Sequence, residues 1–139
     1  MRLVWDDAVI DVVADILGFE TGFGEARGAV VLNRKGDFAA GIVFHNWNPE
    51  SDAIEVSAAA IDTRWATRGV LKAAFGYIFD GIECQLAVSR TSEHNDVVRR
   101  LWLAFGADEY IIPRLRGRNE AEAISTLTKE AWAASRFMK

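Results

Sequence analysis

The segment Ile61–Phe79, IDTRWATRGVLKAAFGYIF, starts as the end of a strand and finishes as a helix. Two arginines, a threonine and a glycine stand between, and no acid occurs after Asp62 until Asp80. The first turn of a helix presents unpaired backbone N–H groups and a partial positive charge, which suit an anion such as phosphate. Small residues let backbone approach that anion, and Ala66 and Gly69 are small. Thr67 adds a hydroxyl, Arg64 and Arg68 add charge, and Val70 opens the helix. The chemistry this composition supports is a cradle for the phosphates of a nucleotide-containing cofactor. The same residues also make an ordinary strand-to-helix turn with solvated arginines, and this stretch alone leaves both readings open.

Few other side chains are equipped for chemistry. His45, in VFHNWN, has the intrinsic pKa of a general base near neutrality, although a lone strand histidine is often structural. His94 stands at the start of a helix beside Asn95 and reads as a solvated or capping residue. Cys84, the sole cysteine, lies in an apolar run and reads as an inert core thiol. It leaves no internal disulfide and no cysteine-based zinc site, and no metal is expected.

The 139 residues read as one domain, 1–139, long enough to bury a core. Half of them are apolar, as in globular chains. A net charge of −4 argues against a general nucleic-acid binder. Asp6, Asp7 and Asp11 interrupt the N-terminal apolar residues, so no signal peptide is expected. No stretch reaches the ~20 apolar residues of a membrane helix. The expectation is a soluble cytoplasmic protein.

The elements that must position these groups follow from periodicity. MRLVW is a very short strand, and Val9, Val12, Val13 and Ile16 form one face of a helix stopped by Gly18. FETGFGEARG reads as a loop, and its Glu20 and Glu25 are placed to attract a cation. GAVVLN and FAAGIVFHNWN are strands joined by the turn RKGD; AIEVSAAAID is the next strand after NPESD. A helix over 69–79 leads to the strand IECQLAVS. SEHNDVVRRLWLAFG is a helix ending at Gly106, and DEYIIP is a strand. NEAEAISTLTKEAWAAS reads as a final helix, with Asn119 and Glu122 at capping-box spacing and Ile124, Leu127 and Ala131 as its stripe. The predicted fold is α/β in the α+β sense: a central mixed sheet, mainly antiparallel, flanked by helices, with an extra C-terminal helix.

RWATRG resembles the Arg/Gln-x-x-Gly-x-Gly/Ala signature of the GNAT acyl-CoA N-acyltransferases, whose loop cradles the coenzyme A pyrophosphate. Arg64 matches the first position and Gly69 the last; Thr67 stands where a glycine is usual. NDVVRRLWLAFGA resembles that family's Asn-x-x-Ala-x-x-Leu-Tyr-x-x-x-Gly-Phe helix, with Asn95, Leu101 and Gly106 in register and Val98 at the alanine. Strand order and spacing agree from about residue 27 to 113. Trp102 replaces the tyrosine that often protonates the leaving thiolate, and Ala107 replaces the phenylalanine.

The resemblance implies acetyl-CoA as cosubstrate and transfer of its acetyl group to a primary amine by direct attack in a ternary complex. It puts a carboxylate base on the strand before the cofactor loop, where Glu55 is the match, with His45 as second candidate. Burial would raise the Glu55 pKa toward a useful value. It also implies a strand splayed from its neighbour, with free amides at Ser57, Ala59 and Ile61 meeting the pantetheine arm. Arg64, Ala66, Thr67, Arg68, Gly69, Val70 and Asn95 would contact the cofactor, and Trp102 would pack beside its sulfur. Phe44 and Trp47 are candidates for an acceptor pocket, and Tyr110 for a substitute acid. The partner would be a small-molecule or peptide amine, and a homodimer fits the family. Two rival readings stand: a non-catalytic acyl-CoA-binding module, or an interaction protein docking through exposed Trp132 and Phe137 on the C-terminal helix.

Overall fold

A computed structural model describes residues 1–139. Its elements in chain order are β1 (Arg2–Trp5), α1 (Val9–Leu17), β2 (Ala26–Leu32), β3 (Phe38–Asn48), β4 (Ala53–Ala60) and α2 (Arg68–Gly76), which continues through a π turn at Tyr77–Gly81. Then come β5 (Leu86–Ser92), α3 (Asp96–Phe105), β6 (Asp108–Gly117), β7 (Glu120–Thr128), α4 (Lys129–Ala134) and a 3₁₀ turn at Arg136–Met138. The strands form one sheet in the order β1-β2-β3-β4-β5-β7-β6. Every pairing is antiparallel except β4 with β5, which runs parallel. The predicted mixed, mainly antiparallel sheet flanked by helices is what forms. No helix is long and apolar enough to cross a membrane.

Side chains alternate across a strand, so each strand feeds two layers. The larger core lies under α2 and α3, where Ile42, Phe44, Ile54, Phe75, Ile78, Phe79 and Phe105 are buried together. On the opposite face α1 lays Val9 and Val13 on Val43 and Ala59. That contact requires glycine in the sheet: a Cβ at Gly41 would lie 2.5 Å from Val13 Cγ2, and one at Gly28 2.8 Å from Val9 Cγ1. Gly106 ends α3 at φ 105°, a left-handed conformation that glycine adopts without strain.

The C-terminal region differs from the expectation. Residues 120–128 are not the first turns of a helix but β7, paired with β5 on one side and β6 on the other. Asn119 and Glu122 therefore form no capping box. Ala121, Ala123, Ser125 and Leu127 are all buried, a period of two that overlaps the three-residue spacing of Ile124 and Leu127. Tertiary context chose between them, because the slot between β5 and β6 pairs both edges of the segment. Helix starts only at Lys129, where the Thr128 hydroxyl accepts the Ala131 N–H at 3.1 Å.

Trp132 on α4 is 3% exposed and Phe137 is partly buried, so the predicted exposed docking pair does not exist. The two rings stack at 6.0 Å and both meet Phe105, while Trp132 also meets Phe75 at 4.5 Å. The C-terminal segment thus closes the core between α2 and α3.

Candidate active site

β4 and β5 share only three residue pairs, Ala53–Leu86, Ile54–Ala87 and Glu55–Val88. β4 runs on to Ala60 and β5 to Ser92 without pairing to each other, so the sheet parts in the middle. Backbone groups in that gap need partners, and their direction follows from the β3 ladder. Ile61 N–H donates to the Ala39 carbonyl at 2.9 Å, and the pairs Ala59–Gly41 and Ser57–Val43 continue the same phase. The amides of Ser57, Ala59 and Ile61 therefore face β3, against the expectation. Those of Val56, Ala58 and Ala60 face the gap, one residue out of phase with the predicted set.

Val56 and Ala58 also turn their side chains toward α2 and α3, where they line a cavity of about 60 Å³. Trp102 forms its far wall, 6% exposed and edge-on to Phe75 at 5.6 Å and Phe105 at 5.5 Å. The indole is at once core and lining, and it leaves only a narrow slot beside it. Ser89, on β5, is the one polar residue among the fourteen that line it. Asn95 stands at the N-terminus of α3 with both side-chain groups engaged. Its Oδ1 accepts the Val98 N–H at 3.2 Å and its Nδ2 donates to Thr91 Oγ1 at 3.1 Å.

The upper end of the gap meets the start of α2. Thr67 caps the helix, its Oγ1 accepting the Val70 N–H at 3.3 Å. Val70 contributes nothing further to an anion, since its side chain is buried in the core. The amides of Arg68 and Gly69 have no intramolecular partner, and a Cβ at Gly69 would meet nothing within 4 Å. Ala66 is partly buried against the main core. Approach to the two amides is therefore open. The charges lie differently from expectation. Arg64 turns away into a bidentate pair with Asp62, at 3.1 Å for each contact, and hydrogen bonds from Arg64 hold that carboxyl below the usual range. Arg68 Nη2 donates to the Arg136 carbonyl at 2.6 Å, so the C-terminal turn touches the mouth of the site.

On the α1 face below the gap the two candidate bases meet. From Ala40 with Ala60 to His45 with Glu55 the β3–β4 ladder pairs residues whose numbers sum to 100, and a bulge after His45 shifts the pair of Asn48 with Ala53 to 101. His45 Nε2 lies 2.9 Å from Ser57 Oγ and 3.6 Å from Glu55 Oε2, and Asn46 Nδ2 donates to Glu55 Oε1 at 3.0 Å. Burial lowers the His45 pKa from its usual value, with the Glu55 charge opposing. His45 is thus neutral at pH 7, and the ring of Phe23 covers it at 4.7 Å. An open hollow beside them is lined by Asn46, Ile54, Glu55, Val88, Arg90 and Ile124. Phe44 and Trp47 line another hollow of about 340 Å³ at the lower end of β3, with Glu25 and with His45 itself, and Asn46 and Ile54 border both hollows. Glu20, His94 and Tyr110 are exposed and make no side-chain hydrogen bond. Cys84 is buried and burial raises its pKa, so it supplies no nucleophile.

Asn46, Ser89, Arg90 and Glu122 were not singled out from the sequence as site residues. Glu122, 4% exposed, accepts from Arg90 Nε and Nη2 at 3.1 and 2.6 Å and from Arg116 Nη1 at 2.9 Å. Reading residues 119–135 as a helix concealed it. The cross-strand position of His45 and Glu55 depends on a β-bulge between His45 and Asn48; the register of Asn48 with Ala53 alone would set His45 opposite Val56. No group of three or more His, Cys, Asp and Glu side chains is arranged to hold a metal.

No protein-family model and no curated protein sequence matches the chain. Solved structures do match. Mutant forms of the spermidine/spermine N-acetyltransferase SpeG from Vibrio cholerae superpose with a TM-score of 0.76 at 11% identity, over 94% of this chain and 96% of that one. SpeG in complex with manganese ions gives 0.72 at 10% identity, over 94% of each chain. A provisionally assigned acetyltransferase from T. thermophilus gives 0.67 at 16% identity, over 86% of this chain and 65% of that one. The chain has the GNAT-type acetyltransferase fold.

Proposed function

We propose that a chain with this fold and this parted sheet is an N-acetyltransferase that uses acetyl-CoA and a primary amine, a small molecule or a peptide, in a ternary complex. The observation that carries the reading is the separation of β4 from β5 after three pairs, opening between the unpartnered amides of α2 and the His45–Glu55 pair.

The Arg68 and Gly69 amides and the α2 dipole would receive the pyrophosphate, and the missing side chain at Gly69 leaves the approach clear. The gap-facing amides of Val56 and Ala58 would hold the pantetheine arm and the thioester oxygen, where negative charge develops on attack. Glu55 would take the proton from the amine, with Asn46 fixing one carboxylate oxygen and His45 near the other. The nitrogen forms its bond to the carbonyl carbon, the carbon–sulfur bond breaks, and the sulfur leaves with the electron pair. Trp102 holds no acidic proton near neutrality, so the thiolate takes its proton from water; a thiol pKa near ~8.5 makes that departure tolerable.

The 60 Å³ slot favours one rival, a binding module whose Trp102 excludes the acyl end. Calorimetry with acetyl-CoA followed by thiol release over a panel of amines separates them. Turnover with recovery of the acetylated amine supports the enzyme. Binding without turnover selects the module, and absence of binding removes both readings.

A further inference from the structure

Arg90 leaves β5 two residues beyond Val88, the partner of Glu55, and its side chain is 44% exposed toward the open hollow. Its Nε and Nη2 are both held by Glu122, while Nη1 makes no hydrogen bond. A carboxylate as buried as Glu122 is costly unless charge and hydrogen bonds compensate, and here two guanidiniums do so. Arg90 and Arg116 thus share a single buried carboxylate. Arg116 also contacts the partly exposed Glu120 at 3.4 Å, whereas Glu122 is the one carboxylate that hydrogen-bonds Arg90. Glu55 acts on Arg90 through its charge, but no ion pair joins them, and each borders the hollow. A carboxylate suited to an ammonium group and a fixed guanidinium suited to a carboxylate thus face one space. Both side chains border the same hollow from neighbouring strands, Arg90 two residues beyond the last β4–β5 pair. Val88 and Ile124 make the floor between them apolar.

We infer that the acceptor is an apolar amino acid with a free carboxylate, its amine at Glu55 and its carboxylate on Arg90. This rests on the acetyltransferase reading above, and it parts from the polyamine named for the structurally similar SpeG. Nη1 and the outer edge of Nη2 would donate to the carboxylate, a charge-assisted contact that a plain amine cannot make.

The test uses leucine and 3-methylbutylamine, which is leucine without its carboxylate, and spermidine as a polyamine. Equilibrium binding to the protein saturated with coenzyme A is measured first, without relying on turnover. Leucine should bind at least tenfold more tightly than 3-methylbutylamine. Arg90→Gln should remove that preference, and Arg90→Lys should restore part of it; thermal unfolding of each variant checks that Glu122 still tolerates its setting. Equal binding of leucine and 3-methylbutylamine by the unmodified protein overturns the inference, as does a preference for spermidine. Thiol release with the same amines is read separately: leucine bound but never acetylated refutes the enzyme while leaving the carboxylate site standing.

Discussion

Replacing Gly69 by glutamate should separate stability from cofactor binding, with opposite signs. Gly69 is the second residue of α2, its amide is free, and its missing side chain faces open space. A carboxylate there meets no steric obstacle. It replaces a poor helix former, a gain of about 0.5–1 kcal/mol, and sits at the positive end of the helix, worth about 0.3–1 kcal/mol more. The variant should unfold about 3–7 °C higher, since ~1 kcal/mol shifts a chain of this size by roughly 3–4 °C. Binding should go the other way. Two unit charges 4 Å apart repel by about 1 kcal/mol in water and about 4 kcal/mol near a protein surface. The site is open, so a net penalty of about 2 kcal/mol is reasonable, or roughly 30-fold in Kd. Gly69→Gln has almost the same shape without charge and should cost less than about threefold. Calorimetric titration with acetyl-CoA at low and at about 0.5 M salt measures both, and the gap between the two variants should narrow as salt screens the charge. If the two variants bind acetyl-CoA alike, the pyrophosphate does not sit at the start of α2.

Glu55→Gln should lower thiol release by roughly 10²-fold and leave acetyl-CoA affinity unchanged; retained turnover would pass the role to His45. The lowered pKa of His45 makes the folded protein bind fewer protons than the unfolded chain below the ordinary histidine value near ~6.5. Its contribution is therefore complete above that pH and declines as pH falls toward the folded pKa. Urea midpoints between pH 5 and 8 should show a shallower acid-side decline in His45→Gln than in the unmodified protein, and parallel curves would refute a buried neutral imidazole. Trp132→Ala should cost about 3–5 kcal/mol in urea unfolding, the scale for emptying a large aromatic core site. A loss below ~1 kcal/mol would mean that α4 does not belong to the core.

Much of the sheet was legible because β2, β3 and β4 carry apolar runs separated by strong turn signals, RKGD and NPESD. The two helices after them were legible through their periodicity and through Gly106, which ends the second, while the caps Thr67 and Asn95 emerge only in the structure. β7 was not, because ISTLT fits both helical and strand periods; the strands flanking it decided. The site divided the same way. The α2 start was visible as composition, yet where Arg64 and Arg68 point depends on Asp62 and on Arg136, which lies 68 residues away in sequence. The His45–Glu55 pair is a matter of hairpin register. The Arg90–Glu122 pair needed β7 to be a strand before it had any meaning.

The phase of β4 has a consequence for how this stretch tolerates change. In a strand, side-chain face and amide direction both reverse at every residue, and they reverse together. Between Ala53 and Ile61 the odd residues put Glu55 and Ser57 on the face of His45 and bind β3. The even ones line the slot with Val56 and Ala58 and turn their amides to the gap. Deleting or inserting a single residue here would exchange both assignments beyond the lesion. Small-for-small substitutions in SAAA leave each assignment intact. Apart from Glu55 and the buried Ile54 and Val56, the segment is therefore more sensitive to length than to composition, and relatives should exchange small residues in SAAA while keeping its count.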